Sequence, residues 1–226
     1  IVLINCALYT TSNLIIYFFK YDIFAGSEWQ NPYTLFNMFG GAIQILSMMI
    51  LFPIVRKFLS TMKTLYLSIG MAVAGYAVLL IMSCAGINNI YVLFIPGFLI
   101  FAAFGMMTVL TTVFLANSVD YGEMKNGSRD ESVIFSMQTF VVKLASGVAV
   151  LIASISLSVF NISQDTSEGV ASALSAQSAL GLRLTMSVLP IIGLIAAWVI
   201  FGKKFILTEE KVDEIAAELA VKHGEN

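Results

Sequence analysis

The chain has 226 residues, of which 58% are hydrophobic and only 12% are charged. Soluble proteins are about 45–50% apolar and about 25% charged, so this composition excludes an ordinary soluble domain and indicates a polytopic membrane protein. The net charge of −2, without any Lys/Arg-rich run, excludes a nucleic-acid partner. The two cysteines, Cys6 and Cys84, lie far apart in apolar segments, so we expect buried thiols and neither a metal nor a redox site.

Six apolar segments are long enough to cross a bilayer as helices, for which about 20 residues are needed. We call them the first to sixth spans, and they cover residues 1–19, 33–53, 65–84, 90–116, 133–160 and 182–201. The predicted fold is therefore all-α, with one six-helix transmembrane bundle over residues 1–202. The six segments contain no Asp, Glu or His, which excludes an enzyme that needs acid–base groups within the membrane.

The loops alternate in charge along the chain. Basic residues follow the second, fourth and sixth spans, namely Arg56, Lys57, Lys63, Lys125, Arg129, Lys203 and Lys204. Basic loops face the cytoplasm, which predicts an integral protein of the inner or plasma membrane with both chain ends inside. Lys20 and Arg183 break the pattern, and we expect them at helix ends where their long side chains reach the membrane surface. The chain starts without Met, inside an apolar run that lacks a basic leader, which predicts a piece of a longer protein.

Residues 203–226 are predicted to form a cytoplasmic tail with a short amphipathic helix. Thr208 is suited to cap its first turn, and the acidic residues that follow favour a helix N-terminus. Apolar residues then recur at helical spacing, at Val212, Ile215, Ala216 and Leu219. His223, the only histidine, comes after this pattern among polar residues, so we expect it to be solvated and without a chemical role.

Lys143 is the one charged residue deep inside an apolar segment. It lies about ten residues into the fifth span, or ~15 Å, which is near the middle of a ~30 Å hydrocarbon layer. A lysine at this depth costs ~2.5–3.5 kcal/mol, so a carboxylate or a water-filled cavity is needed to stabilise it. Since none of the six spans contains a carboxylate, we expect the counter-charge on a ligand or on another part of the protein.

The neighbours of Lys143 predict a polar cavity. Residues that share its helix face by three- and four-residue spacing are Ser132, Ser136, Thr139 and Ser146. Gln138 lies one step round the helix from Thr139. For the serines alone, close helix–helix packing is the alternative, because small residues favour such contacts in membranes.

The segment VDYGEMKNGSRDES at 119–132, which continues into FSMQTFVVK at 135–143, resembles the glycoside–pentoside–hexuronide:cation symporters, the melibiose-carrier group of the major facilitator superfamily. The resemblance implies twelve spans in two six-helix bundles, with this chain as the C-terminal bundle and its spans numbered seven to twelve. It implies a coupling Na⁺ or H⁺ held mainly by acidic residues of the N-terminal bundle, and no other cofactor. Lys143 would then lie near those acids, with Gln138 and Thr139 near the sugar.

Two departures from the family pattern bear on the substrate. Asn117 stands where many members have an acidic residue before the VDYGE motif, and residues 101–117 lack the tryptophan that sugar-binding members often carry. Thr108 lies in that region and is a candidate for the substrate cavity. On the first span, Asn13 and Tyr17 could add polar contacts, and interhelical packing is the alternative role for each of these residues.

The charged stretch that begins at residue 119 is predicted to be a loop between the fourth and fifth spans. Its charges are either solvated or form a cytoplasmic gate, in which Asp120, Glu123 and Arg129 would pair with the other bundle when the cavity faces outward. The predicted function is sugar:cation symport by alternating access, with the sugar, the N-terminal six-helix half and the bilayer as partners. A carrier of another amphiphilic solute or lipid is the alternative, and a non-transporting scaffold subunit is a remote one.

Overall fold

The computed structural model describes residues 1–165 and 172–223, and the regular structure in these two ranges is entirely helical. Six helices are long and apolar enough to cross a membrane, and they are Val2–Ile23, Gln30–Phe58, Thr61–Cys84, Ile90–Asn126, Glu131–Val159 and Ala176–Lys204. A shorter helix, Glu209–His223, forms the tail. The prediction for the His223 side chain lies outside the described side chains.

The fourth span is longer than its hydrophobic segment. It continues ten residues past Ala116 to Asn126 and ends where Gly127 adopts a left-handed conformation with φ of 76°. Asp120 and Glu123 therefore lie on a helix, and the prediction of a long loop is wrong at these two positions. The helix persists because charged side chains beyond the membrane surface can be solvated or paired without interrupting the backbone hydrogen bonds.

Two spans contain a π-helical turn. The first span continues from Phe18 through the π-helical turn Phe19–Ile23, and the second contains another at Ser47–Leu51. The first of these turns adds Asp22 to the span, which corrects the expectation that the six spans hold no carboxylate. A second correction concerns Cys84, which is exposed at the end of the third span, whereas Cys6 is half-buried.

The six spans form one bundle around a common apolar core. The first span packs against the fifth and sixth, the second against the fourth, and the third against both the fourth and the sixth. Most of the largest fully buried side chains come from the first, third and fourth spans, and they include Leu14, Phe18, Leu65, Ile69, Tyr76, Phe104 and Met107. The second span buries least, and apolar residues such as Met49 on the second span and Leu151 on the fifth remain more than half exposed. Both spans therefore present apolar faces to their surroundings.

An ion pair joins the first and sixth spans at the end of the bundle opposite the basic loops. The Arg183 guanidinium forms a bidentate ion pair with the Asp22 carboxylate. Its Nε donates to Oδ2 at 2.8 Å and its Nη2 donates to Oδ1 at 2.6 Å. The Asp22 side chain is only 4% exposed and that of Arg183 22%. Arg183 is therefore paired with a buried carboxylate, which supplies the stabilisation that water would otherwise provide.

Lys20 lies in the last turn of the first span, and its side chain is buried within the protein. Its amine donates a hydrogen bond of 2.8 Å to the carbonyl oxygen of Asp165, which also accepts one of 2.8 Å from the Tyr21 hydroxyl. The amine lies 5.2 Å from the Tyr21 ring centroid and 5.7 Å from that of Trp29. Aromatic faces and a carbonyl oxygen thus surround the ammonium group.

The basic loops and the tail meet at the other end of the bundle, which we call the basic end. The Glu209 Oε1 atom accepts hydrogen bonds from the Thr61 backbone amide at 2.6 Å, from the Thr61 hydroxyl at 2.8 Å and from Arg56 Nη1 at 2.8 Å. Thr61 is the first residue of the third span, so a tail carboxylate binds the positive end of that helix. Ile215 and Leu219 then pack the tail helix near Tyr121 of the fourth span.

The bonds of Glu209 predict that docking of the tail depends on pH. The Thr61 backbone hydrogen bond, and then those of the Thr61 hydroxyl and Arg56, lower the pKa of Glu209 below its usual value. Its contribution to docking is therefore present above the ordinary glutamate pKa of about 4.3 and is lost as the pH falls through the lowered value. At neutral pH, Glu209→Gln should shift the docking equilibrium about fivefold toward the free tail, the effect of losing about 1 kcal/mol of helix capping.

The measurement is the mobility of a spin label on Ala217, which is exposed on the tail helix. Glu209→Gln should raise that mobility at pH 7, and the unchanged protein should show the same rise only in acid. Glu210→Gln is the matched control, because Glu210 is an exposed neighbour that forms no ion pair with a described residue. Equal mobility in the Glu209→Gln and Glu210→Gln proteins would show that the cap does not hold the tail.

Candidate functional site

Lys143 lies on the exposed side of the fifth span. The buried side of this helix carries small or apolar residues at helical spacing, namely Ala145, Ala149, Ala153, Ser156 and Leu157. Two residues of an α-helix correspond to a rotation of about 200°, so Lys143 points away from the side on which Ala145 packs. Its amine forms no ion pair with a carboxylate in residues 1–165 or 172–223. The candidate site therefore faces out of the six-helix bundle.

The predicted polar stripe lies mostly on the same exposed side. Ser132, Ser136 and Thr139 are exposed with Lys143, whereas Gln138 and Ser146 are half-buried. The Thr139 hydroxyl donates to the Phe135 carbonyl oxygen of its own helix at 3.1 Å, so its lone pairs remain available to accept. Exposed Met137 and Phe140 stand between these polar residues. The stripe is thus an open, mixed surface on which polar groups are set among apolar side chains.

Asn13 and Tyr17 are half-buried on the first span and lie apart from Lys143 along the bundle axis. The Cys6 sulfur is 3.6 Å from the carbonyl oxygen of Ala145, which places Lys143 near the level of Cys6. Asn13 comes seven residues later on the first span, which corresponds to about 10 Å of helix rise. The structure therefore brings the first and fifth spans together, but it separates Asn13 and Tyr17 from Lys143 by about two helical turns or more.

Thr108 is exposed on the fourth span, and its hydroxyl donates to the Phe104 carbonyl oxygen at 2.8 Å. Thr111 and Thr112 bond the carbonyl oxygen of Thr108 in the same way, at 2.9 Å and 3.3 Å. The hydroxyl hydrogens of all three threonines are thus used within their own helix. Toward a ligand these side chains act as hydrogen-bond acceptors, which suits a donor such as a hydroxyl group.

The three residues predicted as a gate form one cluster around Arg129. Arg129 Nη1 lies 2.8 Å from Glu123 Oε2 and 3.0 Å from Asp120 Oδ1, and Nε lies 3.2 Å from Glu131 Oε2. The hydrogen bonds that Arg129 donates to Glu123 first, and then to Glu131 and Asp120, raise its pKa further above the ordinary value. The cluster joins the end of the fourth span to the start of the fifth, so all of its pairs lie within this bundle.

A buried hydrogen bond in the core has no counterpart in the sequence predictions. The Thr11 and Tyr76 hydroxyls lie 2.7 Å apart, and Thr11 also donates to the Ala7 carbonyl oxygen at 3.1 Å. Both side chains are almost fully buried, Tyr76 at 0% exposure and Thr11 at 8%. The bond connects the first and third spans at a depth where no water is available. Only the polar character of Thr11 within an apolar segment marks this position in the sequence.

The fold and the exposed Lys143 define a polytopic integral membrane protein with a charged site on one helix. The model of the MFS/sugar transport protein family matches residues 1–203, which is nearly the whole chain. The chain belongs to that family. This match confirms the family resemblance carried by the motifs at 119–132 and 135–143.

Several curated relatives are similar over most of this chain. The lactose permease of Lactobacillus delbrueckii subsp. bulgaricus is 27% identical over 220 residues, which is 96% of this chain and 33% of that protein. The raffinose carrier protein of Pediococcus pentosaceus is 29% identical, over 92% of this chain and 30% of the carrier. The isoprimeverose transporter of Lactiplantibacillus pentosus is 29% identical, over 96% and 42% respectively. The chain thus spans about a third to two fifths of the length of these relatives.

Proposed function

We propose that this chain is the C-terminal six-helix half of a sugar:cation symporter that works by alternating access. The family match over residues 1–203 carries the proposal, and the names of the lactose, raffinose and isoprimeverose relatives support a sugar as substrate. The partner is an N-terminal bundle of six further spans. In this arrangement the basic end faces the cytoplasm, in line with the distribution of Lys and Arg among the loops.

The role assigned to Lys143 is to couple cation binding to closure of the two halves. Its ammonium group is exposed on the fifth span without an ion-pair partner in the described part of this chain, which suits a residue whose carboxylate lies on the facing bundle. Acidic residues of that bundle would hold Na⁺ or H⁺, and Lys143 would compete with the cation for them. Each cation bound would then change the attraction between the halves.

Gln138 and Thr139 are assigned to the sugar. A sugar presents several hydroxyl groups, which need both donors and acceptors in a partly dehydrated pocket. The Gln138 amide offers both, and Thr139 offers an acceptor on the same side of the fifth span as Lys143. Thr108, Asn13 and Tyr17 would contribute at other heights of the same cavity. The pocket would be completed by the other half, because the stripe on this chain is an open surface.

Asp120, Glu123 and Arg129 are assigned to a cytoplasmic gate. Their mutual pairs hold the fourth and fifth spans together at the basic end. In the outward-facing state some of these charges would pair with the other bundle instead, and they would separate from it when the cavity opens inward. The exchange of partners biases the rocking equilibrium between the two states.

Arg129→Gln should therefore shift this equilibrium about tenfold, toward the inward-facing state, because the gate loses its shared cation. The measurement is the rate at which a membrane-impermeant thiol reagent modifies a cysteine introduced at Thr139, compared from the two sides of vesicles that contain the full-length carrier. Lys125→Gln is the matched control, because Lys125 is an exposed neighbour that forms no ion pair with a described residue. Equal labelling ratios in Arg129→Gln and the unchanged carrier would contradict the gate.

The proposed function is tested by uptake of radiolabelled lactose, raffinose and isoprimeverose into vesicles that contain the full-length carrier. Symport predicts accumulation above the external concentration only when an inward Na⁺ or H⁺ gradient is imposed. It also predicts exchange of internal for external sugar without any gradient. Gradient-independent equilibration alone would replace symport by facilitated diffusion, and no sugar movement under any gradient would contradict sugar transport.

A further inference from the structure

The third and sixth spans pack side by side, and we call the outer surface along their line of contact at the basic end the groove. The proposed transport site does not use this surface. The rings of Tyr66 and Trp198 stack there, with centroids 5.4 Å apart and an interplanar angle of 20°. A Cβ atom at Gly202 would lie 2.9 Å from the Tyr66 hydroxyl, so the phenol of Tyr66 lies directly against the sixth span at Gly202. The two helices therefore meet closely through an aromatic pair near the membrane surface.

Two lysines stand at the mouth of this groove. Lys63 precedes Tyr66 by three residues on the third span, and Lys203 directly follows Gly202 on the sixth. Both lysines therefore lie within about one helical turn of the aromatic pair, on the side of the basic end. Both are exposed, and neither amine forms an ion pair with a carboxylate that the structure describes. The mouth thus carries two positive charges, neither of which is neutralised by an ion pair within the described residues.

Deeper in the membrane the groove is apolar and open. Leu67, on the same face of the third span as Lys63, is 40% exposed, and Ile195 and Val199 of the sixth span are each 47% exposed. One turn further along the third span, a Cβ atom at Gly70 would meet no atom within 4 Å. This surface is therefore apolar, and at Gly70 it is open, so that part of a hydrocarbon chain can approach the backbone there.

We propose that the groove between the third and sixth spans binds an anionic phospholipid. Its phosphate lies between the ammonium groups of Lys63 and Lys203, and an acyl chain follows Leu67, Gly70 and Ile195. Basic residues at the ends of neighbouring spans attract acidic headgroups, and tyrosine and tryptophan favour the headgroup level of a bilayer. Two ammonium groups that form no ion pair with a described residue favour a lipid of net negative charge over a zwitterionic one, whose own ammonium group they repel.

The test uses the fluorescence of Trp198 in the full-length carrier after replacement of every other tryptophan by phenylalanine. The carrier is placed in phosphatidylcholine vesicles that contain a small fraction of phosphatidylglycerol, and the acyl chains of one lipid or the other are brominated to quench the indole. We expect brominated phosphatidylglycerol to quench more strongly than brominated phosphatidylcholine at equal mole fraction. Each of Lys63→Gln and Lys203→Gln should lower the relative association constant for the acidic lipid about fivefold.

The double variant Lys57→Gln/Lys204→Gln is the matched control. It removes the same charge from the basic end, but Lys204 borders a different cavity beside Phe201 and Phe205, and Lys57 lies at the end of the second span. Equal quenching by the two lipids in the unchanged carrier would overturn the proposal. A loss in the control as large as in Lys63→Gln/Lys203→Gln would also overturn it, because diffuse surface charge would then explain the preference. The assay needs no sugar or ion gradient, so its outcome is independent of the transport proposal.

Discussion

Lys143→Ala in the full-length carrier is expected to reduce cation-driven sugar accumulation by about 5–150-fold, the range that corresponds to a coupling free energy of 1–3 kcal/mol. The reason is that Lys143 supplies an exposed positive charge without an ion-pair partner in the described part of its own bundle. Sugar exchange without a gradient should be affected less than accumulation, because exchange does not require the cation cycle. The measurement is the ratio of internal to external sugar in vesicles with an imposed Na⁺ or H⁺ gradient.

Thermal stability separates loss of coupling from loss of folding in this variant. Lys143 forms no ion pair with a carboxylate in the described part of this bundle, so its removal should leave the midpoint of unfolding nearly unchanged when the coupling cation occupies the acids proposed on the other half. Lys57→Ala, which removes an exposed charge at the end of the second span, is the control and should retain accumulation. Undiminished accumulation by Lys143→Ala would show that the coupling role belongs to another residue.

Asp22→Asn is expected to be the most destabilising single change at the end opposite the basic loops. The Arg183 side chain is only 22% exposed, and the substitution removes the carboxylate with which its guanidinium forms a bidentate ion pair. Breaking a buried pair costs about 3–5 kcal/mol, and the partial exposure of Arg183 favours the lower value of about 3 kcal/mol. A fall in the midpoint of thermal unfolding of the purified carrier in detergent measures this loss.

Reversal of the pair tests whether the charges act on each other. Asp22→Arg and Arg183→Asp should each destabilise the carrier, and the double variant should recover part of the loss, because opposite charges again face each other. Glu28→Gln is the control, since Glu28 is exposed in the loop after the first span. If the double variant loses as much stability as the two single variants added together, the attraction between the two charges does not stabilise the carrier.

The six spans could be predicted from the sequence because a bilayer requires uninterrupted apolar helices of a fixed minimum length. Their ends could not, since hydropathy marks where apolar residues stop and not where hydrogen bonding stops. Asp22 and Asp120 illustrate the difference, because each is a charged residue that remains in a helix through a specific arginine partner. Both partners are side chains whose position depends on how the helices pack.

The candidate site was only partly accessible from the sequence for a similar reason. Helical spacing places Lys143 and Thr139 on one face, and the structure has both exposed. Spacing alone does not say what covers that face, and no carboxylate from the described part of this chain does so. The bonds between Arg56 and Glu209, and between Thr11 and Tyr76, join residues far apart in sequence, so no local pattern indicates them.

The crossing of the second and fourth spans limits how these helices move. At Gly105 a Cβ atom would lie 2.6 Å from the Gln44 carbonyl oxygen, and beside it the Ser47 hydroxyl bonds the Ala102 carbonyl oxygen at 2.6 Å. Backbone therefore touches backbone at this height, next to the π-helical turn of the second span. The close contact sets the distance between the two helix axes at this height, so any side chain at residue 105 would force the second span away from the fourth.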